Sequence, residues 1–364
     1  MKIVIAGGGT AGHVLPALAV ANEFKRRFRD AEIIFIGSKG GADEKLVPTE
    51  NYELRYIPKA DFPRALKIAS LLFIPRFCAA VVKSLYLLKN ATLAIGFGGY
   101  VATPVYVSAK ILGIPIALHE ANSLPGLANR LGHKWAKVVA VFNPISNWKD
   151  QQIVGFPMRK SITDAAKLTG EALVSAKAAA RKEFGFTPES KVLLVIGGSL
   201  GSQKINDAIA AIRAELNEEK ISILHLVGIG NKAESENPGY KQIPYLEKME
   251  LAYLAADIIV ARAGAGTCAE IEAMGIPTIF IPLSIGNGEQ IANAERYVTH
   301  GSAKILLNIN LTPQDLLSNI LEVNKSFTEI SRLAIANKSS KLSAASDFVD
   351  LIDNEIFRSR KEGF

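Results

Sequence analysis

Residues 2–21, KIVIAGGGTAGHVLPALAVA, set the reading of the whole chain. A short apolar run, Ile3 to Ile5, stops on Gly7, Gly8 and Gly9, and beyond Gly12 the sequence becomes apolar and alanine-rich. That is a strand, a glycine turn and a helix, the opening unit of a parallel α/β sheet. Bare glycines there let backbone N–H groups come close to a ligand, and the positive end of the following helix favours an anion. Residues 191–203, KVLLVIGGSLGSQ, repeat the form: basic residue, buried strand, glycine pair, small polar residue, glycine, helix.

Between and after these two stretches, further apolar runs alternate with segments of helical period. They are EIIFIG (32–37), TLAIGF (92–97), PIALHE (115–120) and KVVAVF (137–142), then ISILHLVG (221–228), DIIVARAG (257–264) and PTIFIPL (277–283). Continuous rather than alternating apolar strands imply sheets covered on both faces. The expected fold is therefore α/β, with two Rossmann-like, doubly wound parallel-sheet domains facing a cleft that carries a glycine loop on each wall. The domains are placed at 1–157 and 158–340, with NPISNWKDQQIVGFPMRKSITDA (143–165) as the passage between them. A C-terminal helix at about 341–358 is expected to pack back on the first domain.

The 364 residues are 49% hydrophobic and 21% charged, a globular composition with room for two cores. The net charge of +7 favours anionic partners, but the basic residues are scattered and form no nucleic-acid recognition module. Two cysteines, Cys78 and Cys268, suit a reducing compartment and are read as small core residues. The N-terminus lacks the pattern of a secretory signal, and a cytoplasmic protein is expected.

Gly7, Gly9 and Gly12 also satisfy G-x-G-x-x-G, so a nicotinamide-dependent oxidoreductase is a competing reading. That fingerprint wants an acid at the end of the second strand, whereas EIIFIG runs into Gly37 and Ser38. His13 follows the loop at once. On the first helical turn, where the dipole disfavours imidazolium, it is a candidate general base.

GGGTAGHVLPALAVA at the start, GFGGYVATPV (96–105), HEANSLPGLANR (119–130), GGSLGS (197–202) and RAGAGTCAEI (262–271) together resemble the murein glycosyltransferases of bacterial cell-wall synthesis over nearly the whole chain. The resemblance implies the two-domain GT-B fold. It also implies inverting transfer of N-acetylglucosamine from UDP-N-acetylglucosamine to the 4-hydroxyl of undecaprenyl-diphosphate-linked N-acetylmuramyl-pentapeptide. On this resemblance Glu270 binds the ribose hydroxyls, Thr267 and Ser199 lie near the donor diphosphate, and Leu246 lies beside the uracil. Arg159 reaches towards the leaving UDP, and Gln290 and Asn293 orient the transferred sugar. In the first domain His13, Thr10, Glu120 and Asn122 match the acceptor side, with Thr10, Gly12 and Asn122 counted also among donor contacts. The loop at Gly8 and Gly9 is suited to the acceptor's diphosphate. Glu120 either orients His13 or caps a helix, and His119 is structural. The chain departs from the family pattern at Phe156, Leu200, Ala263 and Glu289, none of which removes a proposed base or charge.

No Asp-x-Asp triplet for a diphosphate-bound metal occurs, and no cofactor is expected. The stretch 63–90 is the most apolar of the chain but is broken by Lys67, Pro75, Arg76 and Lys83, too soon to span a bilayer. Taken alone it reads as a buried helical pair; the lipid-linked acceptor that the resemblance implies favours instead two amphipathic helices, with Arg64, Lys67, Arg76 and Lys83 around an apolar face, lying on an anionic leaflet. That places the enzyme peripherally on the cytoplasmic face of the plasma membrane, in reach of cell-wall synthesis and division proteins. Other readings are a different UDP-sugar enzyme of the same fold, such as a lipid glycosyltransferase or an epimerase, or a non-catalytic lipid-binding protein.

Overall fold

The computed structural model describes residues 1–60, 73–233, 239–283 and 287–358. The chain divides into two compact units, Met1–Arg159 together with Lys341–Phe364, and Lys160–Ser340.

In the first unit, strands β1 (Lys2–Ala6), β2 (Glu32–Gly37), β3 (Glu53–Tyr56), β4 (Leu93–Gly96), β5 (Ile116–Glu120), β6 (Val138–Val141) and β7 (Gln151–Ile153) form one sheet in the order β3-β2-β1-β4-β5-β6-β7. Every pairing in it is parallel. The connecting helices are α1 (Ala11–Arg27), α2 (Asp43–Thr49), α3 (Phe73–Leu87), α4 (Ala102–Ile111) and α5 (Leu127–Gly132). In the second unit come α6 (Lys160–Ala166), α7 (Gly170–Glu183), α8 (Gln203–Glu218), α9 (Met249–Ala255), α10 (Ala265–Met274), α11 (Glu289–Thr299), α12 (Pro313–Lys325) and α13 (Phe327–Ala336). Its strands β8 (Lys191–Ile196), β9 (Ile221–Leu226), β10 (Tyr240–Ile243), β11 (Ile258–Ala261), β12 (Thr278–Phe280) and β13 (Ala303–Ile305) run β10-β9-β8-β11-β12-β13, again all parallel. The two sheets thus share one winding order.

In such a sheet the order reverses beside the first strand, and ligands bind at the carboxyl ends of the strands where it does. The reversal lies between β1 and β4 in the first unit and between β8 and β11 in the second. Both glycine loops sit there.

The cores follow from the burial of the central strands. Ile3, Ile5, Phe35, Leu93 and Ile95 face α1, whose Val14, Ala17, Leu18, Ala21 and Phe24 are buried against them. Val4, Ile36, Ala94 and Leu118 face the other way, onto Val101, Val105 and Tyr106. Helix α14 (Ala344–Ile352) returns to the first unit and buries Phe348, Val349 and Ile352 in the α1 side of the core. Arg27 ties it down, donating to Asp350 and, at 2.6 Å, to Ser346 Oγ. In the second unit Leu193, Val195, Ile223, Val260 and Ile279 pack on Ile205, Ile209, Ile212, Leu316 and Ile320.

Three details differ from expectation or extend it. Residues 151–153 of the passage pair as β7, where the Gln151 side chain holds Ile145 N at 2.8 Å and Ile145 O at 2.7 Å. Cys268 is buried, but Cys78 is exposed on α3, because that helix buries only Ala80 and Ser84. Its remaining surface carries Ile74, Val82 and Tyr86, 69%, 66% and 78% exposed, beside exposed Arg76 and Lys83. Arg64 and Lys67 lie outside the described residues. Among the described residues no helix is long and apolar enough to cross a membrane.

Each unit also holds a buried neutral histidine. His119 lies among the rings of Phe97, Phe156 and Phe348 with Nε2 2.8 Å from Gly155 O. His225 lies with Nδ1 2.9 Å from Tyr240 Oη and Nε2 3.1 Å from Asn206 Oδ1. Burial pushes both down from 6.5 to about 4. Below pH 6.5 the unfolded chain therefore binds protons that the folded chain refuses, and stability falls with pH down to about 4. At about 1.4 kcal/mol per pH unit, each histidine removes about 2 kcal/mol between pH 6.5 and 5. Urea unfolding of the chain and of His119→Gln and His225→Gln at the two pH values checks this. The variants should lose less stability on acidification, and equal losses would refute it.

Candidate functional site

The first unit gathers three loops around its reversal point. Gly9 turns the β1–α1 loop with φ of +94°, a conformation that favours glycine. Thr10 then caps α1 from an extended conformation, and its carbonyl accepts from His13 N at 3.1 Å and Val14 N at 3.2 Å. The His13 ring is half-buried beside Thr10, with Nδ1 3.2 Å from Thr10 Oγ1. Desolvation lowers its pKa from 6.5, against an opposing hydrogen bond with the Gly8 backbone. The ring is thus neutral at pH 7, with a nitrogen free to take a proton in one tautomer.

The β4–α4 loop makes the space for that ring. A Cβ at Gly98 would stand 3.3 Å from His13 Nε2, and one at Gly99 3.3 Å from His13 Nδ1 and 2.8 Å from Gly8 O. The two glycines of GFGGY therefore serve the imidazole.

Glu120, at the end of β5, is 3% exposed. Its carboxylate accepts from Asn122 N at 2.9 Å and from Asn122 Nδ2, Gly126 N and Asn129 Nδ2 at 3.1 Å each. Burial raises its pKa and these bonds oppose the rise. Of the two roles left open by the sequence, the hydrogen bonds correspond to the local one: the carboxylate organises the 121–126 loop and the start of α5. Asn129 extends the network, accepting from buried Tyr106 Oη at 2.7 Å and donating to His119 O at 3.0 Å.

Sequence reasoning passed over Asp43. It sits at the start of α2, 1% exposed, and takes Gly9 N at 2.9 Å and Ser38 N at 3.1 Å. The end of β2 thus does meet a carboxylate, six residues later than the dinucleotide fingerprint would put it. Because it is buried against these loop amides and 1% exposed, it is not set to bind a ribose. The Gly9 amide, in turn, is occupied.

In the second unit the reversal point lies between the loop after β8 and the start of α10. Ser199 is exposed in that loop, and its carbonyl accepts from Ile229 N at 2.9 Å. Gly201 and Gly228 lie backbone against backbone, so that a side chain on either would strike the other loop. Ser202 caps α8, and its Oγ accepts from Arg262 Nη2 at 2.6 Å. Arg262 Nη1 also reaches Ile281 O at 2.9 Å and Asn308 Oδ1 at 2.8 Å, tying together the ends of β11 and β12 and the loop cap. The sequence signal for this role was the arginine directly after DIIVA.

Thr267 lies in the first turn of α10 and Glu270 one turn further on, where Glu270 Oε2 accepts from Tyr253 Oη at 2.8 Å. The N-termini of α8 and α10 present amides and positive dipole ends, suited to a diphosphate, with a carboxylate one turn beyond for a diol. Gln290 Oε1 accepts from Leu283 N at 3.0 Å. Asn293 is 1% exposed and donates to Ala263 O at 3.2 Å, which fixes α11 to the Arg262–Ala263 turn. Leu246 is half-buried between β10 and α9, and Arg159 is the last residue before α6. Among the described residues no group of three or more His, Cys, Asp or Glu side chains could hold a metal ion.

This geometry coincides with two family models. The glycosyltransferase family 28 N-terminal domain matches residues 3–141 and the glycosyltransferase family 28 C-terminal domain matches residues 192–352. The chain is 40% identical over 331 residues, 89% of each chain, to the UDP-N-acetylglucosamine--N-acetylmuramyl-(pentapeptide) pyrophosphoryl-undecaprenol N-acetylglucosamine transferase of Streptomyces coelicolor. It is 42% identical over 320 residues to the enzyme of the same name from Thermobifida fusca, covering 86% of this chain and 83% of that one. The crystal structure of Acinetobacter baumannii MurG superposes with a TM-score of 0.73 at 26% identity, over 97% of this chain and 99% of that one. With both halves matched and the likeness running almost end to end, the chain belongs to glycosyltransferase family 28.

Proposed function

We propose that the chain transfers N-acetylglucosamine from UDP-N-acetylglucosamine to the 4-hydroxyl of undecaprenyl-diphosphate-linked N-acetylmuramyl-pentapeptide, with inversion at the anomeric carbon. The observation that carries this is the 40% identity, over 89% of both chains, to a transferase named for that reaction. The first unit is the acceptor side and the second the donor side. The muramyl hydroxyl attacks the anomeric carbon, its proton passes to the neutral His13 ring, and UDP departs with the electron pair of the glycosidic bond. No covalent enzyme intermediate is required.

The helix ends after β8 and β11 receive the diphosphate, Ser199 and Thr267 hydroxyls lie in those segments, and Glu270 takes the ribose hydroxyls. Arg159 neutralises the charge growing on UDP. Because Asn293 is bonded to Ala263 O, it holds the α11 turn against the donor loop, and Gln290 stands next to it for the sugar hydroxyls. Exposed Ile74, Val82 and Tyr86 on α3, with Arg76 and Lys83 beside them, support peripheral attachment to an anionic leaflet, where the lipid acceptor resides.

Incubation with labelled UDP-N-acetylglucosamine and the lipid-linked muramyl-pentapeptide tests the reading. Lipid-linked disaccharide and free UDP should form in equal amounts, only when both substrates are present. UDP without disaccharide, or conversion of the donor sugar alone, would overturn it.

A further inference from the structure

The buried Asp43 carboxylate is aimed into the first glycine loop, and the transfer reaction above does not use it. Its two oxygens join separate segments: Oδ1 takes the amide of Gly9 in the β1–α1 loop, and Oδ2 the amide of Ser38 at the end of β2. The surroundings are shaped to admit it. A Cβ at Gly37 or at Gly41 would fall on the carboxylate, and one at Gly8 would stand 3.5 Å from its Cγ. Ala42 N donates to Gly9 O at 3.1 Å, so Gly9 is gripped at both its amide and its carbonyl by the segment that carries Asp43. The far side of Gly9 is walled by Tyr100, whose ring would stand 3.2 Å from a Cβ there and whose hydroxyl is hydrogen-bonded to Ser38 Oγ. Gly9 leads directly into Thr10, which caps α1 and touches His13.

We propose that Asp43 is a positioning residue for transfer: its carboxylate is a resident anion on the first glycine loop, fixing Gly9, and through Thr10 the His13 ring. The proposal rests on the reaction proposed above, with His13 at the acceptor hydroxyl. It assigns the Gly9 amide to the protein's own carboxylate and leaves the acceptor's diphosphate to the amides that follow, in the first turn of α1. A loop held in this way costs nothing to order when the acceptor arrives, whereas a loose one displaces the base, and a displacement of about 1 Å costs roughly a hundredfold in rate.

Asp43→Asn and Asp43→Ala test it, assayed by steady-state kinetics, with circular dichroism and urea unfolding of the whole chain as the check that each variant is folded, because UDP binding reports on the second unit alone. Asparagine keeps an oxygen for one amide and turns an N–H₂ on the other; alanine empties the site. The expected result is a fall in kcat of about tenfold for Asp43→Asn and about a hundredfold for Asp43→Ala, with KM for UDP-N-acetylglucosamine and UDP affinity unchanged. Sodium formate at tens of millimolar should restore kcat of Asp43→Ala several-fold, and sodium chloride at equal ionic strength should not. A merely structural carboxylate would move the unfolding midpoint without this split or this rescue. Folded variants with the full kcat of an active parent, or loss of kcat with no formate effect, would overturn the proposal. A parent chain that makes no disaccharide would instead overturn the reaction on which it rests.

Discussion

Replacing His13 with alanine should lower kcat by about 10²–10⁴ and leave KM for UDP-N-acetylglucosamine within a factor of about two, the loss expected for a general base acting on the acceptor. The chain should stay folded. The ring is half-buried and makes a 3.2 Å contact with Thr10 Oγ1, worth about 1 kcal/mol or less. The pH profile of the parent carries the same signature. Burial holds the imidazole below 6.5, so kcat/KM should be flat through neutral pH and fall on the acid side with a midpoint below 6.5. Rates of parent and variant across pH 5–8 check both statements. Near-parental turnover by folded His13→Ala would remove the base.

The second large effect is expected at Glu120. Its carboxylate is the shared acceptor for Asn122 N, Asn122 Nδ2, Gly126 N and Asn129 Nδ2. Glu120→Ala leaves these donors without it, at about 1–3 kcal/mol for each that water cannot reach, so a loss of about 3–5 kcal/mol is expected. Glu120→Gln should lose less, because one oxygen remains while the new amide turns its hydrogens towards donors. Denaturant unfolding of the two variants measures this. A loss below about 1 kcal/mol for alanine would show that the loop does not depend on the carboxylate.

The apolar runs read from the sequence correspond to the interior strands of both sheets, and the strands that were not legible are β3, β7, β10 and β13, the edges. The physical reason is in their burial. Strands such as β4 and β11 are buried along their whole length, whereas β3 (ELRY) alternates between exposed and half-buried and β7 (QQI) is buried nowhere. A continuous apolar run marks burial on both faces, and an edge strand lacks that signal. Cys78 fails for a related reason: α3 has the composition of a core helix, but only Ala80 and Ser84 are buried on it.

The site was legible where glycine was required and opaque where the chain folds a distant group onto it. The loop at Gly7, Gly8 and Gly9 announced close approach, with His13 on the helix that follows it, whereas the fit of Gly98 and Gly99 against the His13 ring emerges only in the fold. Asp43 stands 34 residues from Gly9 with no motif around it, and only the pairing of β1 with β2 brings the two together. Glu120 was visible as a residue with two roles open, since its partners Asn122, Gly126 and Asn129 are spread over a loop and the start of α5 with no regular period.

In the proposed reaction the second unit holds the uridine diphosphate and the first supplies the base. Hydrogen–deuterium exchange of the intact chain with and without saturating UDP tests that division most directly. Protection is expected at 197–202 and 262–270, with 7–13 and 97–100 unchanged. Protection by UDP at the His13 loop, with none around Glu270, would contradict it.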